Sequence, residues 1–333
     1  WPGLDYLRKR AEPMMARARF DDVLAFYDGY LPQTGTGALN LARAHLARGQ
    51  EGAAEAGIVL AWRTLDLTRA EHEEFLRAFG PLLAPHHEAR LEMALWRGLR
   101  DVEDMLPLVS AKTRRMVELR DAATRGETDG LSEAQKRDPA IALERFTRAL
   151  SNAPEEATRI LLRQSRIEGG LGRPERWASW RRYLARQKMR AGEAGLAYDL
   201  AAVHQLVEGA QYADLEWLSG YIALRHLDAP ALALDHFQRF RAAVGTPISL
   251  GRAGYWIGRA QEALGDTAAA KIAYADAAAH PTSFYGLLAA EKAGIASEAA
   301  LRGDEAFPDW RSAAFARSDL KEIGTLAMRM GDL

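Results

Sequence analysis

Histidine and glutamate stand together at two points of the chain, in the order that a metal-binding helix uses. His72-Glu73-Glu74-Phe75-Leu76 begins like the zinc helix of a metalloprotease, where two His four residues apart share one face and the Glu activates water. Leu76 stands where the second His is required, and His87-Glu88-Ala89-Arg90-Leu91 fails in the same way. The pair His86-His87 could bind a metal weakly, but a solvated helix start is the favoured reading. Gly35-Thr36-Gly37-Ala38-Leu39-Asn40 lacks the last Gly of a dinucleotide loop and follows no strand. Leu218-Ser219-Gly220 falls inside a helical pattern, not on the sharp strand-to-helix turn that exposes a nucleophilic Ser. His204, His226 and His236 lie on otherwise apolar helices and read as partly buried core residues. These residues predict no catalytic group, no cofactor and no metal.

Two stretches could instead make a binding surface. Arg173, Arg176, Trp177, Trp180, Arg181, Arg182, Tyr183, Arg186 and Lys188 crowd one segment. Aromatic faces stack on sugar rings and guanidinium groups pair with carboxylates, so a glycan contact is chemically sound. The same spacing also suits a helix pair with Trp177, Trp180 and Tyr183 inside and the arginines in water, and this is the favoured reading. The second stretch is Pro281-Thr-Ser-Phe-Tyr-Gly286. Thr282 or Ser283 can cap a helix there, with Phe284 and Tyr285 packing beneath, or the stretch can dock another domain.

The elements that position these residues are helical. In Leu250 to Leu264, the residues Ala253, Trp256, Ile257, Ala260, Ala263 and Leu264 step by three and four, which puts them on one face. Gly265 stops that helix, and Asp266 or Thr267 caps a second one carrying Ala269, Ala270, Ala273, Tyr274 and Ala277. The same unit occurs upstream. Trp217, Leu218, Tyr221, Ile222 and Leu224 precede a turn ending at Pro230, then Ala233, Leu234, Phe237 and Phe240 follow. Trp217 and Tyr255 lie 38 positions apart, a period near that of tetratricopeptide-type arrays.

The ordered series Arg182-Tyr-Leu-Ala-Arg186, Leu196-Ala-Tyr-Asp-Leu200, Tyr212-Ala-Asp-Leu-Glu-Trp-Leu218, Thr246-Pro-Ile-Ser-Leu250, Tyr255-Trp-Ile-Gly-Arg-Ala-Gln-Glu-Ala-Leu-Gly265 and His280-Pro-Thr-Ser-Phe-Tyr-Gly286 strongly resembles the α-superhelical domain of soluble lytic murein transglycosylases. The resemblance is close over about Arg176 to Gly294 and looser before it, as in Glu88-Ala-Arg-Leu-Glu-Met-Ala-Leu-Trp96. It implies an all-α superhelix of antiparallel helix pairs, curved into a U or ring. It implies a periplasmic protein, its signal peptide already removed, whose family cleaves the β-1,4 bond between N-acetylmuramic acid and N-acetylglucosamine without water. In that family a single Glu of a C-terminal lysozyme-like domain serves as acid, then as base for the sugar's own 6-hydroxyl. That Glu sits in a Glu-Ser motif. No Glu-Ser dipeptide occurs in this sequence, so no catalytic residue is carried over. The implied partners are glycan strands and the catalytic domain. The candidate contacts are Arg176, Trp177, Trp180, Arg181, Arg182, Tyr183, Phe284 and Tyr285.

Composition agrees with a folded helical chain. Hydrophobic residues make up 48% of 333, and Ala and Leu dominate over β-branched types. A formal net charge of −1 gives no field that would attract nucleic acid or an anionic membrane. The absence of Cys excludes a disulfide framework and suits an oxidising compartment. No apolar run is long enough to span a bilayer.

Along the chain, Tyr6 to Tyr30 reads as a helical pair with Leu7, Ala11, Met14 and Met15 on one face. Thr68-Arg-Ala-Glu71 is a capping box opening a helix to Phe79, with Pro81 and Pro85 bracketing a connection. Residues 1–121 then form N-terminal hairpins, 122–138 a polar loop, and 139–333 the main repeats. After Gly294 the pattern loosens, returns at Leu320, Ile323, Leu326, Ala327 and Met330, and reaches a turn at Gly331-Asp332. The hairpin there is expected to continue in further protein, and the chain to be a monomer. A helical-repeat scaffold that binds a protein partner, with no enzyme attached, is the alternative.

Overall fold

A computed structural model describes residues 3–296 and 309–330, so the expected turn at Gly331-Asp332 lies outside the described residues. The protein is all-helical, 77% helix, with no strand among the described residues. It forms two compact units, Trp1–Arg148 and Ala149–Leu333.

In the first unit the helices are α1 (Leu4–Ala11), α2 (Phe20–Phe26), α3 (Gly35–Ala47), α4 (Glu51–Thr64), α5 (Arg69–Leu83), α6 (His87–Arg97), α7 (Val102–Met105), α8 (Ala111–Thr124), α9 (Glu133–Lys136) and α10 (Pro139–Asn152). The unit boundary falls within α10, downstream of the polar stretch. Ile58, Trp62, Phe75, Leu83, Leu91 and Met105 make the main core. The capping box at Thr68 and Glu71 is formed. Helix α5 runs into the expected connection as far as Leu83, kinked at the non-helical Phe79 ahead of Pro81, and a 3-10 turn, Ala84–His86, completes it.

The N-terminal pair is turned differently from its sequence pattern. Leu7 and Met14 are exposed, while Glu12 is buried. The Glu12 carboxylate accepts from the Gln33 N–H at 2.7 Å and from the Thr34 hydroxyl, at the start of α3. Glu71 accepts from the N–H and hydroxyl of Thr36. The Gly35-Thr36-Gly37 helix start is therefore occupied by two of the protein's own carboxylates, which satisfy the donors that a phosphate would need.

The stretch expected to be a loose polar break is tied at both ends. Helix α8 extends to Thr124, and Arg120 holds Asp138 through two hydrogen bonds of 2.9 and 2.8 Å. Asp138 also accepts from the N–H of Ala140 and Ile141, so it caps α10.

The second unit continues with α11 (Pro154–Ser165), α12 (Pro174–Arg190), α13 (Ala194–Ala202), α14 (Gly209–His226), α15 (Pro230–Ala242), α16 (Pro247–Ala263), α17 (Thr267–Ala278), α18 (Phe284–Ala293) and α19 (Asp319–Met330). Sequential helices from α12 to α18 pack on one another, most closely α16 on α17 and α14 on α15. Gly265 at φ 82° follows the end of α16, and Asp266 caps α17 by accepting from the Ala269 N–H. Helix α16 approaches its neighbours through glycine. A Cβ on Gly254 would meet the Ala277 Cβ at 2.9 Å, one on Gly258 the Tyr274 ring, and one on Gly251 the Ser283 hydroxyl. The expected apolar stripe is shorter than its pattern. Ala253, Trp256 and Ala260 are buried, but Ala263 and Leu264 are exposed at the helix end.

Candidate functional site

Helix α12 starts at Pro174 in the N1 position and runs 17 residues. It separates the expected contact residues into two groups. Trp177 and Arg181 are fully buried. The Trp177 indole donates to the Leu171 carbonyl at 2.9 Å. Arg181 donates to the Leu200 carbonyl at 2.7 Å and to the Ser165 hydroxyl. No carboxylate among the described residues pairs with it, and burial pushes its guanidinium down to about 10. These two residues are removed from the candidate surface, because their hydrogen bonds and burial make them core.

Arg176, Trp180 and Tyr183 remain exposed, beside the buried face of α12. Their spacing of four and three sets them in one row. Trp180 is 42% and Tyr183 50% exposed, and their rings meet edge to face at 6.0 Å. The Tyr183 hydroxyl accepts from Gln187, which extends the row by one turn. Arg182 is half-buried and paired with Asp214 of α14, so it anchors the helix rather than joining the row. The row presents apolar ring faces beside an exposed guanidinium, the chemistry that binds a sugar carrying a carboxylate.

The second stretch behaves as a cap. Ser283 is buried, accepts from the Gly286 N–H at 3.0 Å and donates to the His280 carbonyl at 2.9 Å. Phe284 points outward, 69% exposed, against the expectation that it packs beneath. The residue after Phe284 turns in: Tyr285 packs on Tyr255 at 5.4 Å and Trp256 at 6.2 Å. This aromatic group includes Trp217, stacked on Tyr221 at 5.3 Å, and the Arg252 guanidinium lies 3.4 Å above the Trp217 ring. Arg252 Nε and the Trp217 and Trp256 indole nitrogens find no oxygen or nitrogen acceptor among the described residues. Aromatic faces surround them, which is a weaker but real N–H partner.

A polar cluster lies inside the same unit. Glu216 sits between Leu215 and Trp217 on α14, and all three are buried. One carboxylate oxygen receives His204 Nε2 at 3.2 Å. The other receives His236 Nδ1 at 2.6 Å and Arg239 Nε at 2.9 Å. The Leu206 N–H donates to His204 Nδ1, so the His204 proton resides on Nε2, facing Glu216. Tyr198 completes a phenol–imidazole–carboxylate line through His236 Nε2 at 2.8 Å. Burial raises the Glu216 carboxyl, but the bonds from His204 and His236, with the His236 and Arg239 charges, outweigh it and bring it to about 2. It is ionised at neutral pH. The cluster ties α13, the 203–208 connection, α14 and α15 together.

His204 and His236 are buried as their apolar surroundings predict, but His226 is exposed at the end of α14. Glu216, Tyr198 and Arg239 carry no motif. One available signal is Glu216 itself, an acid inside the apolar run Leu215 to Leu218, which requires cationic or hydrogen-bonding partners. No group of three or more His, Cys, Asp or Glu among the described residues could hold a metal ion. Two metal-like His are accounted for otherwise. His72 is buried against Trp62, and His87, expected in solvent at a helix start, is buried because α6 turns it inward. No helix among the described residues is long and apolar enough to cross a membrane.

No protein-family model, no curated protein and no solved structure matches the chain.

Proposed function

We propose that this chain is the superhelical part of a periplasmic lytic transglycosylase, a stack of helix pairs that holds peptidoglycan glycan strands while cleavage belongs to a separate domain. The observation that carries this reading is the place of the resembling residues. The ordered series from Arg182 to Gly286 falls on consecutive packed helices, and its Gly258 and Ser283 stand where those helices touch. Such an order of contacts supports a solenoid, whose physical role would be to present an extended surface. The row Arg176, Trp180 and Tyr183 is the glycan contact on this reading. It serves a monomer and assigns no catalytic residue.

The proposal is tested by incubating purified sacculi with the chain and analysing the soluble products by mass spectrometry. No 1,6-anhydro-muropeptide is expected. Their release would place a catalytic carboxylate among these residues and overturn the division of labour.

The protein-partner alternative draws on a different feature of the first unit. Leu31, Pro32, Leu41, Leu60 and the alanines of α3 and α4 line an apolar groove of about 480 Å³. A chain that leaves sacculi untouched and unbound would make that reading the better one.

A further inference from the structure

The first unit contains a second polar cluster, built around Trp62 of α4. The His72 ring stacks on the Trp62 indole at 5.0 Å and 27°, and the His87 ring leans on it at 5.7 Å. The Arg90 guanidinium covers the same indole at 4.4 Å. Trp62, His72, His87 and Arg90 are all buried. Arg90 donates to the Trp62 carbonyl and pairs with Asp101, which is itself buried. Arg90 therefore already has its carboxylate.

Neither imidazole has one. His72 Nε2 faces the Met105 sulfur at 3.3 Å, a weak acceptor, and His87 Nδ1 has no partner among the described residues. A proton added to either ring would set a second buried cation within reach of Arg90 and leave a charged N–H without an oxygen acceptor. The other charged groups around the cluster are Asp104, Asp66, His86 and Arg97. They include two acids, but no salt bridge or hydrogen bond joins either acid to His72 or His87 among the described residues.

We propose that His72 and His87 form an acid-sensitive latch, two neutral imidazoles clamped on Trp62 beside Arg90, whose protonation in mildly acidic solution loosens the packing of α4, α5 and α6. Burial lowers both imidazoles below their ordinary value, His72 with help from the Arg90 charge and His87 from His86. The sign follows. A His whose folded pKa is depressed favours folding above its unfolded pKa of about 6.5, and that contribution is lost as pH falls below it.

Two measurements on the whole chain decide this. In a nuclear magnetic resonance titration, the His72 and His87 ring protons are expected to titrate below about 6.5. In hydrogen exchange corrected for intrinsic rates, amides of α4 and α6 are expected to lose roughly tenfold protection or more between about pH 7.5 and about pH 5, while α16 keeps its own. The double variant His72→Phe/His87→Phe should lose this pH dependence. Titration of both imidazoles at or above 6.5, unchanged wild-type protection, or the same loss in the folded double variant would overturn the latch. Should the variant not fold, the titration and the wild-type exchange still give the answer.

Discussion

Glu216 Oε2 and His236 Nδ1 lie 2.6 Å apart across α14 and α15, both side chains buried, and His204 and Arg239 close the remaining carboxylate positions. A carboxylate so enclosed is stable only while its donors stay in place, because losing one partner of a buried pair leaves a desolvated charge. The bond ties α14 to α15 through a single buried acid.

Glu216→Gln keeps the shape and removes the charge. It should destabilise the second unit by about 2–4 kcal/mol, read as a lower denaturant midpoint. The wild-type dependence on pH has a defined sign. The folded carboxyl is depressed to about 2 from an ordinary 4.5, so its contribution is complete above 4.5 and is lost as pH falls toward 2. Glu216→Gln should flatten that acid limb. An unchanged limb would show that other carboxylates control it.

The three aromatic residues of α12 should respond according to their burial. Trp177→Ala empties a fully buried site and should cost about 3–5 kcal/mol of stability. Trp180→Ala and Tyr183→Ala alter exposed positions and should stay within about 0.5 kcal/mol of wild type. Thermal unfolding of the three variants compares them directly.

Glycines of similar helical geometry should also differ. Gly254→Ala drives a methyl against the Ala277 Cβ and the Ala273 carbonyl, which is backbone and cannot swing aside. A loss of about 1–3 kcal/mol is expected. Gly57 in α4 has open space where a Cβ would stand, so Gly57→Ala should gain up to about 1 kcal/mol in helix propensity. Chemical denaturation of each variant measures both.

Local rules made much of this fold legible. Thr68 with Glu71, Asp266, Ser283, Pro230 and Gly265 act within a few residues of themselves, and each stands where its chemistry predicts. What escaped the sequence depends on helix rotation and distance along the chain. Periodicity placed Trp177 and Trp180 as neighbours on one helix face, but the edge of the buried face falls between them, so one is inside and one outside. Glu216 meets partners 12, 20 and 23 residues away, a pairing that no local pattern encodes. His226 and His236 look alike in sequence, yet only the second is buried, against Glu216 of α14. The polar stretch 122–138 read as a break because the Arg120–Asp138 tie spans 18 positions.

That tie gives a further prediction. Asp138→Ala removes both Arg120 bonds and the α10 cap together. Limited trypsin digestion should then cut faster at Arg125, Lys136 and Arg137, with the rest of the first unit resistant. An unchanged digestion pattern would mean that the stretch is held by other contacts.

The central claim is that the exposed row on α12 holds glycan, and co-sedimentation with purified sacculi tests it most directly. Wild-type chain should pellet with sacculi, and the double variant Trp180→Ala/Tyr183→Ala should remain in the supernatant with its circular dichroism unchanged. Wild-type chain that stays in solution would contradict glycan binding, and a folded double variant that pellets as wild type does would contradict the assignment of the contact to α12.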